Sequence, residues 1–152
     1  MMAPRPTPAG SSIDAVQPTG VHHVGVAVAD LEDAVDTYAR LFGGKLEHRD
    51  LVPDQGVEAA SILVGSSRIE LLAPLSADTP VGRFLSKRGP GMHHIAYEVA
   101  DVGAALAGLA AAGTELIDTV PRQGLFGLEV AFVHPDAVHG VLTEVVAVAR
   151  LT

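Results

Sequence analysis

The chain has 152 residues, is 48% hydrophobic and carries a formal net charge of −8. That length suits one domain or two small fused modules with a real core, and the acidic balance argues against general nucleic-acid binding. The absence of cysteine removes disulfides, thiolate metal sites and a cysteine nucleophile, so any metal must be held by nitrogen and oxygen.

Residues 1–19, rich in Pro, Ala, Ser and Thr without periodicity, read as a flexible tail. No apolar run is long enough for a bilayer, and the start lacks the basic and apolar regions of a signal peptide. The expectation is a cytoplasmic protein with no membrane or nucleic-acid partner. Residues 21–28 are a β-branched run and predict a strand. Asp30 is a helix cap with Asp33 in the first turn, and Leu31, Ala34, Val35, Tyr38, Leu41 and Phe42 form a stripe at helical spacing that Gly43-Gly44 ends. Strands are predicted at 45–51, 57–64 and 68–73, the last two joined by a Gly65-Ser66-Ser67 hairpin turn. A linker helix follows at 79–88, with Thr79 as cap, Pro80 at the favoured first position and Gly89-Pro90-Gly91 as stop. The second half repeats the plan: a strand at 92–99, a helix capped by Asp101 with Val102, Ala105, Leu106 and Leu109 as its stripe, then strands at 115–120, 128–134 and 141–148. The expected fold is α+β, two tandem βαβββ modules (about 20–75 and 91–149) in one domain at 20–149, forming a curved mixed sheet around a metal cleft.

The repeat extends to polar residues. Val21-His22-His23-Val24-Gly25-Val26 returns as Met92-His93-His94-Ile95-Ala96-Tyr97, and Ile69-Glu70-Leu71-Leu72 has its counterpart in Thr143-Glu144-Val145-Val146. The His pairs are 71 residues apart and the glutamates 74, an offset that a three-residue insertion explains without changing strand register. Side chains alternate along a strand, so one His of each pair faces the inside of the sheet. Two such modules packed side by side bring two imidazoles and two carboxylates together about a pseudo-twofold axis. That set suits zinc, cobalt, nickel, manganese or iron with positions left open for water or substrate. One His or Glu in an apolar strand is ordinarily structural; four duplicated in register point to a metal. His134 and His139 flank a turn, and His48 reads as a surface residue.

At these residues the chain resembles the vicinal oxygen chelate superfamily and, within it, the methylmalonyl-CoA epimerase family. The resemblance covers 20–148 and rests on His22-His23-Val24-Gly25-Val26-Ala27, Asp54-Gln55-Gly56-Val57, Glu70-Leu71-Leu72-Ala73-Pro74-Leu75, Gly91-Met92-His93-His94, Phe132-Val133-His134-Pro135 and His139-Gly140-Val141-Leu142-Thr143-Glu144. It implies a divalent metal, such as cobalt, nickel, manganese or zinc, held by His23, Glu70, His94 and Glu144, the family often having Gln where Glu70 stands. It also implies a homodimer and an isomerase that interconverts (2R)- and (2S)-methylmalonyl-CoA, or a related acyl-CoA, by removing the C2 proton through a metal-stabilised enolate. Some members carry a catalytic glutamate at the position of Ala59. Here the base is expected to be Glu144 acting while bound to metal, Glu58 returned to the pocket by a bulge, or Glu98, which shares the inward parity of His94. Arg83, Lys87, Arg88, Arg68 and Arg122 are candidate partners for the CoA phosphates, and Gly124-Leu125-Phe126-Gly127 resembles the family's glycine loop. The rival readings are a glyoxalase or extradiol dioxygenase of the same superfamily, and a metal-free protein that sequesters small molecules. With two Tyr, four Phe and no Trp, the chain is poor in the aromatics such sequestering pockets use.

Overall fold

A computed structural model describes residues 14–148. Residues 1–13 of the expected tail, and residue 149 of the second module, lie outside them. Residues 14–19 are tied to the domain: Val16 packs against the second module's core and the Thr19 N–H donates to the Glu98 carbonyl at 2.9 Å.

Each module forms from a strand, a capped helix and further strands. The first contains β1 (Gly20–Ala27), α1 (Leu31–Phe42), β2 (Lys45–Val52), β3 (Val57–Val64) and β4 (Ser67–Pro74). The linker contains α2 (Pro80–Arg88), and the second module β5 (Gly91–Glu98), α3 (Val102–Ala111), β6 (Arg122–Gln123), β7 (Glu129–Val133) and β8 (Thr143–Ala147). The caps act as expected. Asp30 accepts from the Asp33 N–H at 3.0 Å, Asp101 from Ala104 at 2.8 Å and Thr79 from Gly82 at 3.0 Å. Gly43, at φ 65, closes α1.

The eight strands form one curved mixed sheet in the order β2-β3-β4-β1-β5-β8-β7-β6. Within each module the first strand pairs in parallel with the last, β1 with β4 and β5 with β8, and the modules meet through the antiparallel pair β1–β5. Alternation sorts the side chains. Ala60, Ile62, Leu71 and Ala73 face α1 on the convex side, and Ala131 and Val145 face α3. Ala27, Val57, Ala59 and Leu72 face the concave side, where Val81 of α2 and Leu125 cover them.

Two departures come from local hydrogen bonding. The strand expected at 115–120 is reduced to one bridge between Leu116 and Val133, because Ile117 and Asp118 both donate to the Phe132 carbonyl and the Asp118 carboxylate accepts from the Phe132 N–H. The last strand begins at Thr143 instead of 141: His139 (φ 53) and Gly140 (φ 89) turn the chain first.

At the module seam Gly25 stands directly opposite His94. A Cβ on Gly25 would overlap the His94 ring. Gly25→Ala should therefore destabilise the protein by about 1–3 kcal/mol, the usual cost of overpacking, read as a lower midpoint of thermal unfolding. An unchanged midpoint would contradict this packing.

Candidate active site

The strand register assembles the site. On β1, Gly25 pairs with Glu70 of β4 on one side and His94 of β5 on the other. On β5, Ala96 pairs with His23 of β1 and Glu144 of β8. A small residue thus lies between a histidine and a glutamate in each row, and the two rows are related by the pseudo-twofold at the seam. All four polar side chains are buried.

The four converge. His23 Nε2 lies 2.9 Å from His94 Nε2, 3.5 Å from a Glu70 oxygen and 3.9 Å from a Glu144 oxygen. His94 Nε2 lies 3.6 Å from Glu144 and 3.9 Å from Glu70. Donors held at about 2.1 Å around one ion lie roughly 3.0–3.4 Å apart at adjacent positions; the carboxylate contacts here are wider, and His23, His94 and Glu144 each offer a ligand atom within 4.8 Å of the others, with Glu70 beside them. The donor set, two imidazoles and two carboxylates, fits a divalent transition metal.

A hydrogen-bonded chain fixes the rings. The Arg68 guanidinium lies 3.3 Å from His22 Nε2 and can only donate, so His22 carries its hydrogen on Nδ1, 2.8 Å from His23 Nδ1. His23 accepts there and presents its own hydrogen to His94 at Nε2, and His94 Nδ1 in turn lies 3.0 Å from His93 Nδ1. A cation held by both inner rings would take the place of that one shared hydrogen. Glu47 anchors the chain through Arg68, with contacts of 2.7 and 2.9 Å, and accepts from Ser61 at 2.9 Å. These hydrogen bonds from Arg68 hold the Glu47 carboxyl down to about 2. This bracing arm was not evident from the sequence. The outer histidines also differ: His22 is held by Arg68, whereas His93 reaches the cavity wall and meets the Phe84 ring edge-on at 5.1 Å.

Burial dominates the electrostatics. It pushes the Glu70 carboxyl up to about 8, opposed by the charge of Arg68, and raises Glu144 well above its ordinary range, aided by repulsion from Glu70. Burial and the neighbouring His94 lower His23 to about 2; burial and His93 lower His94 to about 3. Among the described residues, the ion-pair contacts of both glutamates are to these histidines alone. Two buried carboxylates between neutral imidazoles lack a compensating positive charge, which a divalent ion would supply.

The cluster forms the floor of a cavity of about 480 Å³ with apolar walls that include Val57, Leu72, Leu125, Leu128 and Leu142. Asp54, Gln55, Thr79, His93 and Arg122 add polar groups. The Gly124–Gly127 loop contributes Gly124 and Leu125 to the wall, with Phe126 in the left-handed region at φ 59. Arg122 bonds Asp118 at 3.2 Å and covers the Phe132 ring.

Glu58 is not on this wall. The β3–β4 register runs without a bulge through Glu58 and Ala73, so alternation sends Glu58 to the convex face, where Arg49 holds it at 2.6 and 3.0 Å and also pairs with Glu32 of α1. The expected return of Glu58 to the pocket is corrected accordingly. Glu98 is also off the wall, accepting from the Thr19 hydroxyl at 2.8 Å. Ala59 faces inward, fully buried. His134 accepts from the Asp136 N–H within its turn, and His48 packs against Phe126.

The shifts predict a pH dependence for the metal-stripped protein. Above pH 6.5, the ordinary histidine value, both inner histidines are neutral folded or unfolded. The glutamates then decide: the folded state keeps protons that unfolded carboxyls, near 4.5, have released. The folded state binds more protons, so stability falls as pH rises from 6.5 through about 8. In chelator, the thermal midpoint should drop across that window, and Glu70→Gln should flatten the drop. A flat or rising profile in the parent would contradict the assignment.

Comparison with known proteins agrees with this architecture. Residues 22–132 match the glyoxalase/bleomycin resistance protein/dioxygenase superfamily. The chain is 38% identical over 126 residues to the ethylmalonyl-CoA/methylmalonyl-CoA epimerase of Cereibacter sphaeroides, covering 82% of this chain and 94% of that one. The crystal structure of methylmalonyl-CoA epimerase from Mycobacterium tuberculosis superposes with a TM-score of 0.85 at 35% identity, over 92% of this chain and 95% of that one. A methylmalonyl-CoA epimerase in complex with methylmalonyl-CoA and NH4+ superposes at 0.84 with 37% identity, over 88% and 96%. By profile, sequence identity and fold together, the chain belongs to the glyoxalase/bleomycin resistance protein/dioxygenase superfamily and, within it, to the methylmalonyl-CoA epimerase family of isomerases.

Proposed function

We propose that the protein is a divalent-metal-dependent epimerase that interconverts (2R)- and (2S)-methylmalonyl-CoA by moving the proton on C2. The observation that carries this reading is the convergence of two imidazoles and two carboxylates on the floor of a largely apolar cavity. His23, Glu70, His94 and Glu144 would hold the ion. When bound, it supplies Lewis acidity that favours negative charge on the substrate's thioester and carboxylate oxygens.

The chain's own groups handle the proton. Glu144, which faces the cavity floor, is the group that takes a proton from carbon and returns it. Inversion needs a second group on the opposite face. With Ala59 apolar and Glu58 on the convex side, the remaining acid–base groups on the described wall are Asp54 and His93, and one of them serves. The apolar walls exclude water from the deprotonated carbon, and Arg122 offers a cation at the rim. The homodimer belongs to the same proposal, supported by exposed apolar side chains at Val21, Phe42 and Met92.

Metal-loaded protein incubated with methylmalonyl-CoA in heavy water should incorporate deuterium at C2 and yield both epimers from one. Chelation or Glu144→Gln should reduce the rate by at least about a hundredfold. Asp54→Asn and His93→Gln identify the second group: its loss leaves exchange from one epimer and abolishes inversion. Exchange no faster than the spontaneous rate, with metal bound, would reject the reading.

A further inference from the structure

Arg122 is the one lysine or arginine on the described wall of the active-site cavity. Arg68 is taken up by Glu47 and His22. Strand pairing decides where the Arg122 side chain goes. Arg122 lies opposite Val130, and Phe132, two residues further along β7, lies opposite Glu144 of β8. Paired residues share a face and alternate residues repeat it, so all four line the concave cavity. The guanidinium is held in place there. Its Nε lies 3.2 Å from Asp118, whose carboxylate also accepts from the Phe132 N–H at 2.8 Å. Its central carbon stands 5.1 Å from the centre of the Phe132 ring, and the same ring meets the His94 ring edge-on at 5.8 Å. One aromatic side chain thus touches both the cation and the floor. Asp118 is the one carboxylate that pairs with Arg122 among the described residues.

The acyl group of methylmalonyl-CoA differs from a plain acyl group by the free carboxylate on C2. The floor's own carboxyls offer that group no attraction, whereas a guanidinium braced above them does. We infer that Arg122 binds the carboxylate of the substrate's acyl group and selects 2-carboxyacyl thioesters over plain acyl ones. The inference rests on the acyl-CoA reading above and deepens it by naming what recognises the carboxylate. A planar guanidinium presents paired N–H donors that match the two oxygens of a carboxylate. The same contact serves inversion. Both epimers share the carboxylate and the thioester, so with those two groups fixed the hydrogen and methyl on C2 exchange sides while the rest of the substrate stays in place.

Calorimetric titration of the metal-loaded whole chain with racemic methylmalonyl-CoA and with propionyl-CoA, which lacks only the carboxylate, tests this directly. The parent should prefer methylmalonyl-CoA. Arg122→Gln should cut that preference at least about tenfold and leave the propionyl-CoA affinity within about twofold of the parent's. Arg122→Lys, which keeps the charge without the planar fork, should restore part of the preference. Arg40→Gln, in the last turn of α1, should change neither affinity. A parent that binds the two thioesters equally would overturn the inference without reliance on any variant's folding. So would Arg122→Gln with the parent's preference, or with equal losses for both ligands, the pattern of a contact to the CoA portion they share. Because the titration needs no turnover, the two proposals fail separately. A preference that depends on Arg122, without C2 exchange, would sink the epimerase reading alone. C2 exchange with the preference untouched by Arg122→Gln would sink this inference alone.

Discussion

The antiparallel pairing of β1 with β5 is the constraint on which the rest depends. It joins the modules, and its register sets His23 against Ala96 and Gly25 against His94. The parallel pairings within each module then bring Glu70 beside Gly25 and Glu144 beside Ala96. Every ligand candidate is therefore fixed by backbone hydrogen bonds on strands instead of by a loop. A slip of one residue along the seam would turn one inner histidine to the opposite face of the sheet from the other. Gly25 is part of the same device, since the His94 ring needs the space that a side chain at 25 would fill.

The site holds its polar groups at an energetic cost. Two carboxylates and two imidazoles are buried with no lysine or arginine bonded to them among the described residues, and burial keeps the imidazoles neutral and the carboxyls reluctant to ionise. Such a cluster has the donor chemistry of a cation site, and the apolar walls around it sharpen the effect by excluding water. The arm from Glu47 through Arg68 and His22 orients one ring of the pair, while the corresponding His93 is free to line the cavity. The duplicated halves have thus diverged in function around a shared floor, one side braced and the other open.

Much of this was legible in the sequence because two periodicities coincided. The alternation of β1, β4, β5 and β8 and the near-constant offset of the repeat together marked two histidines and two glutamates as facing the same space. Caps such as Asp30, Thr79 and Asp101 announced their helices. The failures are also physical. Glu58 was given a bulge that the continuous β3–β4 hydrogen bonding does not allow, and Arg49 occupies it instead. The strand expected at 115–120 looked regular by composition, but the Asp118 side chain takes up a backbone N–H that a ladder would need. Asp54 and His93 came to the cavity wall, and Glu47 and Arg68 to the bracing arm, through the curvature of the sheet, which no local pattern encodes.

The central claim is that four side chains from four strands form a single metal site, and metal stoichiometry tests it most directly. Protein dialysed against cobalt, nickel, manganese or zinc and analysed by mass spectrometry should hold one ion per chain. Replacing His94 with Ala should weaken retention by more than the roughly 10–100-fold typical of outer-shell substitutions. Failure to hold any of these ions, or retention unaffected by loss of His94, would contradict the account.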